Sequence, residues 1–172
     1  MDRLFDALDS FRCCLDNDIE TFLRKDAVEY MQRNWCAIYL MVDELEFYAG
    51  RIKIDAYFTL SHKTLIPCAA SKTSVKNASG FKDSESIHFV LIGQLGKYLT
   101  HDDNGDVISS DISSTEILNK AFEIVRASHA LIPCRCVLVE CGDNEKVQKV
   151  YTDYKFKKFQ FDGEHYQFYK KI

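Results

Sequence analysis

The sequence has no excess of basic charge, no long apolar run, no cationic leader and no internal repeat. Its formal net charge is −4 over 172 residues, so it carries no electrostatic footprint for a polyanion and no DNA partner is expected. Apolar runs such as Val137-Leu138-Val139 are far too short to span a bilayer, which argues against a membrane partner. The start, Met1-Asp2-Arg3-Leu4-Phe5-Asp6, lacks both the basic and the apolar region of a signal peptide, so a cytoplasmic location is expected. The seven cysteines cannot all pair internally, and with no export signal they read as reduced thiols. Cys134-x-Cys136 with Cys141 nearby does not have zinc-knuckle spacing, so no metal is expected and these thiols read as small apolar packing groups around a strand.

What is present fits one globular domain over residues 1–172. Hydrophobic residues make up 47% and charged residues 28% of a chain long enough to bury a sizeable core. Residues 4–13 are an element of open type. Asp16-Asn17-Asp18 offers helix caps, and Ile19, Phe22, Leu23, Ala27, Tyr30 and Met31 then recur at helical spacing to about Asn34. Residues 36–42 are almost wholly apolar and read as a buried strand. A turn over 43–50 leads into 51–61, whose alternation predicts a second strand antiparallel to the first.

Residues 69–86 are rich in Ser, Lys, Asn and Asp. They read as a polar insertion loop with room for a short helix, serving either substrate access or solvation. Residues 87–97 form a strand ending in Gly93 and Gly96, positions that mark a bulge or a close backbone approach to a ligand. After a polar, turn-rich stretch over 101–113, Ser113-Ser114-Thr115-Glu116 has the capping-box pattern. Ile117, Leu118, Ala121, Phe122 and Val125 continue it as a helix to about His129. Cys136-Val137-Leu138-Val139 is a short buried strand. Asn144 caps a further helix with Val147, Val150, Tyr151 and Tyr154 on its inner face, and Asp162-Gly163 joins the strands of a hairpin. Strand–helix–strand units in the second half imply parallel pairing inside a mixed α/β (α+β) sheet.

Two segments carry candidate chemistry. A helix N-terminus offers unpaired N–H groups and partial positive charge, and a Gly- and Ser-containing loop lets such groups converge on a phosphate. Asn104-Gly105 and the stretch 109–114 meet that requirement, as any capped helix after a turn would. In the second segment, Tyr151 lies seven residues after Asn144, on about the same side of the helix two turns on. Its phenol, protonated at neutral pH, could donate to a leaving thiolate; equally, it could be a core tyrosine with a locally satisfied hydroxyl.

Asn144-x6-Tyr151-x4-Phe156 resembles the C-terminal "N…FY…GF" signature of the GNAT N-acetyltransferases. Leu91-Ile92-Gly93-Gln94-Leu95-Gly96-Lys97 is similar to the family's fourth strand, which splays from the fifth to admit pantetheine. Ala56-Tyr57-Phe58-Thr59-Leu60-Ser61 resembles the third-strand motif of a subgroup that includes bacterial toxin-like members, and Phe22-Leu23-x3-Ala27 resembles that subgroup's first helix. The resemblance implies the GNAT fold: a mixed central sheet of about six to seven strands flanked by helices, with splayed fourth and fifth strands. It implies acetyl-CoA as co-substrate, an amine acceptor (small molecule, peptide or aminoacyl-tRNA), a homodimer and, for a toxin-like member, an antitoxin partner. By position it assigns the backbone of Leu95, Gly96 and Lys97 to the pantetheine arm. Asn104, Gly105, Asp106, Val107, Ile108, Ser109 and Ser110 are assigned to the pyrophosphate, Asn144 to cofactor positioning, and Tyr151 to the role of general acid.

Two departures stand out. The family's Gln/Arg-x-x-Gly-x-Gly/Ala phosphate loop is absent, and Lys155 replaces the glycine before Phe156. No basic patch typical of charged-RNA substrates is visible, which weighs against the toxin-like branch. The base for direct attack is unassigned: Glu140, His88 and a water chain are candidates. Nothing near Cys141 in sequence activates it as an acyl carrier. The competing reading is a non-catalytic, GNAT-like module that holds CoA or a protein.

Overall fold

A computed structural model describes residues 2–172. Among them the strand order is β1-β2-β3-β6-β8-β7 in a six-stranded sheet, with β4 and β5 forming a separate two-stranded pair. The strands are β1 Ala37–Val42, β2 Ile54–Leu65, β3 Ile87–Lys97, β4 Leu99–His101, β5 Val107–Ser109, β6 Cys136–Cys141, β7 Lys157–Phe161 and β8 Tyr166–Lys171. The helices are α1 Asp2–Ser10, α2 Asn17–Thr21, α3 Ala27–Gln32, α4 Glu44–Tyr48, α5 Lys72–Ser79, α6 Ser114–His129 and α7 Glu145–Asp153. The chain divides into two compact units, one comprising residues up to 59 with 94–117, the other 60–93 with 118–172.

In the first unit, α2 and α3 are one helical run interrupted by a π-helical stretch, Phe22–Asp26, in which Ala27 N–H reaches Phe22 O. Asp16 caps the run as expected, its Oδ1 accepting from Asp18 N at 3.1 Å and Ile19 N at 3.2 Å. The open-type residues at the start are helix α1, whose Ala7 and Leu8 pack with Phe11, Leu23, Ala27, Ile54 and Tyr57 in one cluster. Tyr57 is fully buried, and its hydroxyl donates to Ile19 O at 2.7 Å. The expected turn at 43–50 contains α4, which Asp43 caps. β1 is only half-buried rather than fully so, because it is the edge of the sheet.

Glu20 ties the start of this unit together. Its carboxylate accepts from Cys13 N and from Arg24 Nη1, each at 2.8 Å. These contacts, the Cys13 amide first, hold the Glu20 carboxyl below the usual carboxylate range. A depressed folded pKa stabilises the fold above the unfolded carboxyl's pKa, and that contribution disappears as pH falls through the folded value. Glu20→Gln should therefore cost about 1 kcal/mol at pH 7 and nothing once the wild-type carboxyl is protonated. Urea midpoints of both proteins across an acid titration check this; a constant gap at all pH values would refute it.

In the second unit β3 pairs with β6 in parallel, through Val90↔Val137, Leu91↔Leu138 and Ile92↔Val139. β6 pairs antiparallel with β8 from Cys136↔Lys171 to Cys141↔Tyr166, and β7 pairs antiparallel with β8 around the expected hairpin turn. Asp162 Oδ1 accepts from Glu164 N and His165 N there. The segment 69–86 carries α5, capped by Ser71, and Val75 and Ala78 from α5 are buried. They pack with Leu65, Phe89, Leu138, Phe159 and Tyr169, so this part of the polar stretch belongs to the core.

Candidate active site

β6 ends in Glu140 and Cys141, and Gly142-Asp143 leads into the cap of α7. Asn144 Oδ1 accepts from Lys146 N at 3.1 Å and Val147 N at 3.3 Å, closing the helix start as its residue type predicts. Two turns on, Tyr151 is buried, at 7% exposure, with its ring 5.8 Å from Phe156 and 6.1 Å from Phe168. Burial, and secondarily the neighbouring Cys141, push its phenol well above the usual tyrosine range. It is therefore a protonated hydroxyl throughout the physiological range.

Lys155 follows α7 with φ 70, the left-handed conformation that a glycine would take at no steric cost. The backbone turn is thus preserved without the glycine: Phe156 N donates to Tyr151 O at 2.9 Å and Lys155 N to Thr152 O at 3.0 Å.

Both candidate bases have partners. Glu140 Oε2 meets Lys63 Nζ at 2.6 Å, and its Oε1 accepts from Gln167 Nε2 at 2.6 Å. Gln167, 1% exposed, in turn accepts from Gln160 Nε2 at 2.9 Å, and Gln160 reaches Ile66 O and Ala69 N. This buried polar network went unnoticed in the sequence; the only signal was two glutamines on inward-facing strand positions. His88 Nδ1 lies 2.8 Å from Thr64 Oγ1. The Cys141 thiol is pushed up by burial, which makes it a poorer nucleophile at neutral pH.

In the first unit, Leu95, Gly96 and Lys97 end β3, and Gly96 is buried. A side chain there has no room. A Cβ would overlap Tyr57 Cε1 and stand 2.7 Å from Ile19 Cγ2.

The polar stretch after β3 is more ordered than its composition implied, because β4 and β5 pair as a hairpin, Leu99↔Ser109 through His101↔Val107. Asn104, Gly105 and Asp106 form its exposed tip. Asp102 Oδ1 accepts from Asn104 N at 2.8 Å and Asp106 N at 2.9 Å, while Gly105 N donates to Asp102 O. Ser110 is buried, its Oγ donating to Asp55 O at 2.8 Å and its N to Tyr98 O at 3.1 Å.

The capping box forms as expected. Glu116 accepts from Ser113 N at 2.7 Å and Ser113 Oγ at 2.6 Å, and Glu116 N donates back to Ser113 Oγ. These bonds, the Ser113 hydroxyl first, and Lys97 hold the Glu116 carboxyl below its usual range. Among the described residues, no group of three or more His, Cys, Asp or Glu could hold a metal ion, and no helix is long and apolar enough to cross a membrane.

No protein-family model matches the sequence, and no curated protein resembles it significantly. Solved structures do match. AtaT complexed with acetyl-methionyl-tRNAfMet aligns at a TM-score of 0.71 and 18% identity, covering 95% of this chain and 86% of that one. AtaTR bound with AcCoA aligns at 0.69 and 17%, covering 95% and 86%. A tyrosine-to-phenylalanine mutant of KacT aligns at 0.70 and 16%, again covering 95% and 86%. The architecture is the GNAT fold, as the sequence resemblance implied.

Proposed function

We propose that the chain is an acetyl-CoA-dependent N-acetyltransferase that passes an acetyl group directly to an amine. The observation that carries the reading is Tyr151: a buried, protonated phenol on the Asn144-capped helix that follows a strand paired in parallel with β3. Similarity to AtaTR bound with AcCoA and to AtaT complexed with acetyl-methionyl-tRNAfMet supports both the co-substrate and an aminoacyl-tRNA as an acceptor to try first.

In this reading the backbone of Leu95, Gly96 and Lys97 pairs with the pantetheine arm, and an N–H near Leu95–Gly96 polarises the thioester carbonyl. The amine attacks that carbonyl, the C–S bond breaks, and Tyr151 gives its proton to the departing thiolate. Its raised pKa does not disqualify it, since a thiolate expelled into the same desolvated surroundings is raised by the same cause. Asn144 orders the start of α7 and so the position of Tyr151. Water takes the amine's proton, because Glu140 is held by Lys63 and Gln167. Asn104, Gly105, Asp106, Val107, Ile108 and Ser109 remain the proposed pyrophosphate segment, through groups other than the amides that Asp102 engages, while Ser110, whose amide and hydroxyl both donate to backbone carbonyls, anchors the segment instead.

A protein antitoxin is the proposed partner, supported by the AtaT mutant bound to the C-terminus of antitoxin AtaR; a homodimer is the proposed assembly, which the particle mass in solution tests.

One observation favours a second reading. Residues 98–113 contain Asp102, Asp103, Asp106 and Asp111 but no lysine or arginine, and Glu116 already occupies the following helix start. Such a segment attracts a diphosphate poorly, as befits a GNAT-like module without turnover. Mixing the protein with acetyl-CoA and an acceptor panel of aminoacyl-tRNAs, peptides and polyamines, while following free thiol, decides between the two. Acceptor-dependent thiol release is the expected result. CoA binding by calorimetry with no release on any acceptor would establish the module instead.

A further inference from the structure

The second unit contains a concave basic site whose lysines are scattered in sequence. Asn77, Lys155, Lys157, Tyr169, Lys170 and Lys171 line a cavity of about 240 Å³. α5 supplies Asn77, the exit of α7 supplies Lys155, and the β7–β8 hairpin supplies the rest. Four lysines lining one hollow stand out in a chain whose net charge is −4.

The ion pairs found in this unit lie elsewhere: Lys63–Glu140, Lys120–Glu123 and Lys149–Asp153. Asp153, the carboxylate just before the cavity in sequence, is thus already engaged by Lys149 at 2.7 Å. Arg135 adds a further cation at the rim, its Nε donating to Asn77 O at 3.3 Å. Lys170 is fixed in place, with Nζ donating to Tyr154 O at 2.8 Å and lying 3.9 Å from the Tyr154 ring centroid. Burial, and then Arg126, hold its ammonium below the usual lysine range, so Lys170 lends its stem rather than its charge to the wall. At Lys155 the backbone adopts φ 70, so a lysine stands where glycine would be unstrained.

We infer that Lys155, Lys157 and Lys171, with the stem of Lys170 completing the wall, form a binding site for a phosphate-bearing polyanion. The site lies at the far end of β6 from the Asn144 cap, and at Lys155 it adjoins the end of the helix that carries Tyr151. Lys171 pairs with Cys136 at the first residue of β6, whereas Asn144 follows its last residue, Cys141, about 17 Å further along the strand. It does not rest on the acetyltransferase reading. The chemistry serves either a compact polyphosphate or the backbone of a nucleic-acid strand.

Binding is measured on the full chain without acetyl-CoA, using inorganic tripolyphosphate in one arm and a fluorescent single-stranded oligouridylate in the other. Sulfate at matched ionic strength is the control. The variant Lys155→Gly/Lys157→Ala removes two charges and relaxes the left-handed residue, so it should fold at least as well; its thermal melt verifies this. Saturable binding of at least one probe, weakened on the order of tenfold in the variant, is expected. Tripolyphosphate binding identifies the compact ligand. Binding of the oligonucleotide alone, with an affinity falling steeply with salt, identifies the strand. Neither probe binding better than sulfate, or equal binding by a folded variant, overturns the site.

Discussion

Tyr151→Phe should lower acceptor-dependent thiol release by about two to four orders of magnitude while leaving CoA affinity and the thermal melt nearly unchanged. The substitution removes one hydroxyl and keeps the ring, so contacts with Phe156 and Phe168 persist. Only proton delivery to the thiolate is lost. Burial holds the phenol protonated well beyond neutral pH, so the wild-type rate should show no alkaline loss from Tyr151 up to about pH 10. Initial rates of both proteins from pH 6 to 10 measure both effects. Equal turnover by the variant would remove Tyr151 from the chemistry and leave it a core tyrosine.

Gly96→Ala should destabilise the fold by about 1–3 kcal/mol, the usual cost of overpacking a filled site, lowering the melting temperature by roughly 2–12 °C in a chain of this length. The new Cβ would stand 2.8 Å from Tyr57 Cδ1 and 2.7 Å from Ile19 Cγ2. Neither can yield easily. The Tyr57 ring is fully buried, edge-on to Phe11 at 5.4 Å and stacked on Phe22 at 6.2 Å, and its hydroxyl is bonded to Ile19 O. Tyr57→Leu opens space, so adding Gly96→Ala to it should cost less than in the wild type. Were the glycine present only to admit a cofactor arm, the alanine would weaken CoA binding and leave the denaturation midpoint where it was.

These two residues illustrate how far local reading reaches. The seven-residue spacing puts Tyr151 on the same side of one helix as the capping Asn144, a relation written in consecutive turns, while its role as acid is what the family resemblance implies. Gly96 reads in sequence as a bulge or a close backbone approach to a ligand, whereas the groups that approach it in the structure are Ile19 and Tyr57, the latter 39 positions earlier in the chain. Asp16, Asn144 and the Ser113–Glu116 box cap the helices for which their residue types are suited. The hairpin at Asp162-Gly163 was equally visible. By contrast, β1 reads as fully buried because its residues are apolar, and composition does not reveal that a strand will lie at a sheet edge. The stretch 69–86 reads as polar because Val75 and Ala78 are only two apolar positions among many polar ones, yet one face of α5 is enough to reach the core.

Sequence alone determined the order of the longer helices and of the strands of the main sheet, the caps at Asp16, Ser113 and Asn144, the C-terminal hairpin and the helix that carries Tyr151. Each of these is decided by interactions within a few residues, where side-chain type and spacing act directly on the backbone. Tertiary structure decided which groups meet across long separations: Lys63 with Glu140, Gln160 with Ala69, Tyr57 with Gly96, and four lysines around one hollow. Those encounters follow from strand register and helix packing, which collect contributions from the whole chain and leave no periodic trace in any one segment.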